Sequence, residues 1–222
     1  MRREPALSLL LMLATGLLGC ESTPAEPEPL RVAAASDLQT ALPILAARFR
    51  QDTGIRIEPT FGSSGQLAQQ IEQGAPFDVF LAANRQYVEE LAKKRYINPS
   101  SVRPYARGSL VLAVHEDVGK WFTSLDDLRK PAIKKVAIAN PEFAPYGLAA
   151  RQALESAGLW DELQPKLVQA ESVRQALQFV ESGNAEVGLV SRANADSRSL
   201  RIIPVNPDLY EPLVQALGIV RA

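Results

Sequence analysis

The chain has 222 residues, 46% of them hydrophobic, with 24 basic and 25 acidic side chains for a net charge of −1. That is enough for one large or two small cores and too apolar for a disordered protein, while the even charge leaves no basic field to hold nucleic acid. One cysteine, Cys20, and one histidine, His115, exclude an internal disulfide and a Cys/His cluster.

Met1-Arg2-Arg3 precedes an apolar run, Ala6 to Leu18, that is too short for a membrane span and leads directly into Gly19-Cys20. The pattern resembles a bacterial lipoprotein signal with its lipobox. That resemblance implies removal of residues 1–19 and lipid on Cys20 as the new N-terminus. The alternative is an ordinary secretory signal with an incidental cysteine. In both readings the chain is exported, to the periplasm or the cell surface. Loss of Arg2, Arg3 and Glu4 would make the chain one charge more negative. Residues 20–29, rich in proline and glutamate (ESTPAEPEP after Cys20), read as a tether.

Folding starts near Leu30. Leu30 to Ala35 (LRVAAA) reads as a strand, and Leu38, Leu42, Leu45 and Phe49 then mark one face of a helix ending near Gly54. Ile55 to Phe61 alternates as a strand does, Leu67 and Ile71 mark a short helix ending at Gly74, and Phe77 to Ala82 reads as a buried strand before a helix around Val88 and Leu91. This strand–helix order predicts a parallel sheet with helices on both faces.

A second series begins with a strand at Leu110 to His115. Ser124 to Asp127 starts a short helix stopped before Pro131, and Lys135 to Ala139 is a strand followed by the loop NPEFAPYG. Helices on Leu148, Ala153 and Leu154 and on Val173, Leu177 and Val180 end at Gly158 and Gly183, and strands follow at Val187 to Val190, Leu200 to Val205 and Val214 to Val220. Two such series without a long linker predict two lobes and a cleft. Residues 30–109 with 200–222 form the first, and 110–199 the second.

Three stretches, Ser36–Gln39, Ser63–Gln66 and Ser172–Gln175, place serine three residues before glutamine at the start of a predicted helix, the capping-box pattern. Helix starts expose backbone N–H groups without internal partners and carry partial positive charge, so several meeting at one point would hold an anion with neutral donors. Each box by itself needs to do no more than cap a helix. Ligands in such two-series sheets bind beyond the carboxyl ends of the strands, where all three boxes are expected to lie.

Leu30–Leu38 (LRVAAASDL), Phe61–Leu67 (FGSSGQL), Gly74–Ala82 (GAPFDVFLA), Asn140–Gly147 (NPEFAPYG), Glu171–Arg174 (ESVR) and Gly188–Ala193 (GLVSRA) occur in an order that resembles the molybdate-binding proteins of ABC importers, over nearly the whole chain from Cys20 onward. The resemblance implies a type II periplasmic binding protein fold, two α/β lobes closing on a tetrahedral oxyanion, with no cofactor and no catalysis. The ligand would be molybdate or tungstate, the partners a permease and an ATPase, the membrane contact the N-terminal lipid alone, and the receptor a monomer. Ser36 and Ser64 would donate through hydroxyl and backbone N–H, and Tyr146 and Val173 through backbone N–H. Molybdenum would be present only within the oxyanion, never as a bare cation. A donor-only site suits a dianion, whereas protonated phosphate wants an acceptor for its hydroxyl. Roughly six charge-assisted bonds at about 1.5–3 kcal/mol each give a gross gain of about 9–18 kcal/mol, leaving micromolar or tighter affinity after closure costs.

The chain departs from the family at three places. Ser191 stands where many members carry a tyrosine that reaches the anion, so the Tyr146 hydroxyl could stand in for it, or the Tyr146 ring could pack at the lobe surface. Asp37, next to Ser36, is expected to complement the helix start while facing solvent. The family continues into a closing helix after the last strand and this sequence runs to Ala222, so apolar surface is expected on the first lobe. Other readings are a sulfate binder and a sensor or partner lipoprotein on the same fold. Against an enzyme stand the absence of a phosphate loop or dinucleotide fingerprint, His115 as a structural residue at a strand end, and Asp126 and Asp127 as adjacent complements of a helix start.

Overall fold

The computed structural model describes residues 27–195 and 200–221; the expected signal peptide, Cys20 and the expected tether up to residue 26 lie outside the described residues. In the first lobe β1 (Leu30–Ala35), α1 (Leu42–Thr53), β2 (Ile57–Gly62), α2 (Ser64–Glu72), β3 (Val79–Ala82), α3 (Arg85–Lys93) and β4 (Arg103–Arg107) follow one another. The second holds β5 (Leu110–His115), α4 (Glu116–Gly119), β6 (Val136–Ala139), α5 (Pro145–Ser156), α6 (Trp160–Leu163), β7 (Leu167–Ala170), α7 (Val173–Glu181), β8 (Val187–Ser191) and β9 (Leu200–Pro204). The last strand, β10 (Val214–Ile219), returns to the first lobe.

The two sheets share one plan. The first runs β2-β1-β3-β10-β4 and the second β7-β6-β8-β5-β9. In each, three strands joined by crossover helices lie parallel, as such connections require. The strand entering from the other lobe, β10 or β5, runs antiparallel to its neighbours. The sheets are therefore mixed, where the sequence pattern predicts a parallel one. The structure also moves Leu200–Pro204 from the first lobe to the second, where it pairs antiparallel with β5 along its whole length. The chain crosses out between β4 and β5 and back ahead of β10, and the crossings meet where Gly108 N–H donates to the Leu213 carbonyl at 2.8 Å.

The core is unequal between the lobes. In the second, helices close both faces of a sheet whose β6 and β8 are buried throughout. In the first, Leu67, Ile71, Phe80, Val88, Leu91 and Ile97 fill the face under α2 and α3, each contributing about 1.5–3 kcal/mol of burial. Among the described residues, the opposite face buries Val32, Ala34 and Leu42, with partly buried side chains such as Ile57 and Phe61 packed against them. The helix predicted over Leu38–Phe49 is split there. A 3-10 turn holds residues 36–38 and α1 begins at Leu42 with Pro43 in its first turn, where proline's missing N–H costs nothing. The predicted apolar stripe does not all pack, since Leu45 is 60% exposed beside Ile44 at 70%. Gly54, at φ 76°, ends α1 in the left-handed conformation that glycine adopts without strain.

Candidate functional site

Four helical starts converge between the lobes, each directly after a parallel strand. The 3-10 turn 36–38 follows β1, α2 follows β2, α5 follows β6 and α7 follows β7. They bring Ala35, Ser36, Asp37, Ser64, Tyr146 and Val173 around one small cavity. The predicted residues Ser36, Ser64, Tyr146 and Val173 thus meet at one place.

The serine boxes do different work from one another. Ser172 is a cap, its hydroxyl accepting from Gln175 N–H at 3.3 Å while the Gln175 side chain accepts from Glu171 N–H at 2.7 Å. Ser63 occupies the N-cap of α2, but its hydroxyl donates to Gln66 Oε1 at 2.8 Å. Ser36 lies inside its turn after Ala35 and caps nothing, which corrects the box reading at that position. Ser64 is fully buried, and its Oγ accepts from Ala83 N–H at 3.0 Å. With a lone pair so occupied, its O–H remains to donate. Val173 opens α7, and Tyr146 follows Pro145 in the first turn of α5, so their backbone N–H groups are among those a helix start leaves without intrahelical partners.

Asp37 overturns the solvent-facing expectation. It is 1% exposed and lines the cavity. Its Oδ2 accepts from the Tyr146 hydroxyl at 3.2 Å and from Gln215 Nε2, while Oδ1 is buried without a partner. Burial pushes the carboxyl up to about 6, against the pull of the Gln215 and Tyr146 hydrogen bonds. Burial, and then the Asp37 charge, raise the Tyr146 and Tyr105 hydroxyls as well. The cavity wall therefore contains an acceptor, so it is not donor-only.

For Tyr146 the structure overturns the surface-packing alternative. Its ring is fully buried rather than packed at a surface, and its hydroxyl is engaged with Asp37, Gln215 and Ser191. Ser191 is itself buried and accepts from Ala193 N–H at 3.2 Å, acting in this network behind the cavity. Two residues that local pattern could not reveal tie the lobes together. Gln215 reaches Tyr146 at 3.2 Å, and Asn194 Nδ2 donates to the Ser36 carbonyl at 2.9 Å. Gly65 N–H also donates across the cleft, to the Phe143 carbonyl at 2.8 Å. Outside the site, His115 caps α4 and Asp127 accepts from Thr123 N–H and pairs with Lys130, both structural uses. The Lys130 ammonium, with the backbone donors, holds the Asp127 carboxyl well below the usual range.

Two α/β lobes crossed by two connections, with helix N-termini facing one small cleft, are the architecture of a solute receptor. The family model for bacterial extracellular solute-binding proteins matches residues 30–222. The chain is 39% identical to the molybdate-binding protein ModA of Azotobacter vinelandii, over 93% of this chain and 82% of that one. It is 31% identical to a putative ABC transporter substrate-binding lipoprotein, YvgL, of Bacillus subtilis, over 97% and 84%. The solved periplasmic molybdate-binding protein of Azotobacter vinelandii superposes with a TM-score of 0.80 at 34% identity, covering 87% of this chain and 86% of that one. The chain belongs to the bacterial extracellular solute-binding proteins, in the branch of these molybdate-binding relatives, with their two-lobed type II fold.

Proposed function

We propose that this protein captures molybdate or tungstate outside the cytoplasm and delivers it to an ABC permease driven by an ATPase, held at the membrane by lipid on Cys20. The observation that carries the reading is the meeting of helical starts from both lobes on one small cavity whose lining, among the described residues, holds no lysine, arginine or histidine. Neutral donors recognise a tetrahedral dianion by the number and direction of hydrogen bonds, and ordering them in advance of binding limits the cost of closure. Ser36 and Ser64 are assigned hydroxyl and backbone donation, and Tyr146 and Val173 backbone donation. Kinship with named molybdate-binding proteins and with a named substrate-binding lipoprotein supports both ligand and anchor. Calorimetric titration of the mature protein with molybdate, tungstate, sulfate and phosphate tests this. Micromolar or tighter binding of the first two, with sulfate weaker, is expected; preference for sulfate or phosphate would replace the reading.

A further inference from the structure

A buried carboxyl in the wall of an anion cavity poses an electrostatic problem that the donors do not remove. Asp37 follows Ser36 directly, lines the same cavity, and leaves Oδ1 buried with no hydrogen-bond partner. An ionised carboxylate there would face a dianion in a poorly screened interior, where like charges repel far more strongly than in water. Among the described residues, the groups that act on Asp37 include no cation. Tyr146 from α5 and Tyr105 from β4 are the titratable groups that act on it, and Gln215 from β10 is neutral. On α7, which packs on the 36–38 turn, Arg174 is paired with Glu181, and on β2 Glu58 is paired with Arg56.

Two chemistries could satisfy the arrangement. A carboxylate acceptor could take a hydrogen bond from a protonated ligand, or the proton could reside on Asp37 while the ligand stays a bare dianion. The hydrogen bonds favour the second: Oδ2 is already held by two donors, and the unpartnered Oδ1 is the atom on which a proton relieves both its own burial and the repulsion. We propose that Asp37 takes up one solvent proton on Oδ1 as the oxyanion binds, so that the receptor captures a dianion together with a proton. This deepens the molybdate reading and rests on it. Burial raises the free carboxyl to about 6, so the coupling acts chiefly above that pH, where capture must draw the proton from solution.

Linkage fixes the sign. A bound dianion raises the Asp37 carboxyl further, so affinity climbs as pH falls from about 8 to about 6, approaching tenfold per unit, and levels off below. Molybdate titrations of the mature protein across that range, in buffers of different ionisation enthalpy, are expected to show this slope and uptake of close to one proton near pH 7. Asp37→Asn keeps the shape of the group without its charge. It is expected to bind molybdate independently of pH and about tenfold or more tighter than the parent near pH 8. Molybdate binding without slope or proton uptake in the parent would overturn the proposal while leaving the receptor reading intact. The same holds for a slope that persists in Asp37→Asn. Tighter binding of phosphate than of molybdate would place the proton on the ligand and overturn it too. Failure to bind any oxyanion would remove both readings. The proton count on the parent stands even if the asparagine variant does not fold.

Discussion

The two lobes contribute to the cleft in different currencies. The first adds side chains to its backbone at the 36–38 turn and the start of α2, namely the buried hydroxyls of Ser36 and Ser64 and the carboxyl of Asp37. The second brings backbone at the starts of α5 and α7, with the Tyr146 hydroxyl turned away into a network with Asp37, Gln215 and Ser191. The lobe with the thinner core thus holds the replaceable chemistry, while the more thoroughly packed lobe holds donors that no side-chain substitution removes directly. Affinity should be sensitive to side-chain identity on one side of the cleft and to backbone placement on the other.

The strongest break in that contrast is at the seam itself. A Cβ on Gly65 would sit 2.7 Å from the Phe143 carbonyl oxygen and 2.9 Å from its Cα, both backbone atoms. Gly65→Ala should therefore prop the lobes apart and cost about 2–4 kcal/mol of molybdate affinity, from overpacking and the strained Gly65–Phe143 hydrogen bond. Calorimetry alongside thermal unfolding separates this from misfolding, since Tm should change less than affinity. Next come the serines. Ser64→Ala removes a donor and leaves Ala83 N–H without its acceptor, and Ser36→Ala removes a donor alone; each should cost about 1–3 kcal/mol of affinity, Ser64 the more.

Smaller effects sharpen the second lobe's part. Tyr146→Phe deletes a hydroxyl that serves Asp37 rather than the cavity, so affinity near pH 6 should fall by less than about 1 kcal/mol. The same variant withdraws a donor from the ionised carboxylate, so the pH range of the affinity slope should move upward. A loss of about 2 kcal/mol or more near pH 6 would instead mean that the hydroxyl meets the anion. Val173→Ala should leave affinity within about 0.5 kcal/mol, because its assigned donor is backbone and alanine keeps the helix start.

What local pattern reveals is uneven for physical reasons. Strands buried on both faces, LVLAVH and VAIA, announce themselves as apolar runs, and the helices ended by Gly158 and Gly183 by their period. The edge strand Arg103–Arg107 is exposed or half-buried throughout and carries no such signal, and in Leu167–Ala170, also at a sheet edge, the exposed Gln169 breaks the apolar run. The side of a strand on which a residue pairs is likewise invisible, which is why Leu200–Pro204 was assigned to the wrong lobe. At the site, local pattern marks the serine-led helix starts, but the donor set Ser36, Ser64, Tyr146 and Val173 is what the family resemblance implies, and the structure brings these four residues to one cavity. The burial of Asp37 was not legible, since its partners Tyr146 and Gln215 lie 109 and 178 residues away in sequence.

The central claim is that both lobes grip one anion through these helical starts. A crystal structure of the mature protein with molybdate tests it most directly. The account predicts oxo atoms within about 2.7–3.2 Å of the Ser36 and Ser64 hydroxyls and of the Tyr146 and Val173 backbone nitrogens, all at once. An anion bound to one lobe only, or held by a lysine or arginine away from this cavity, would contradict it.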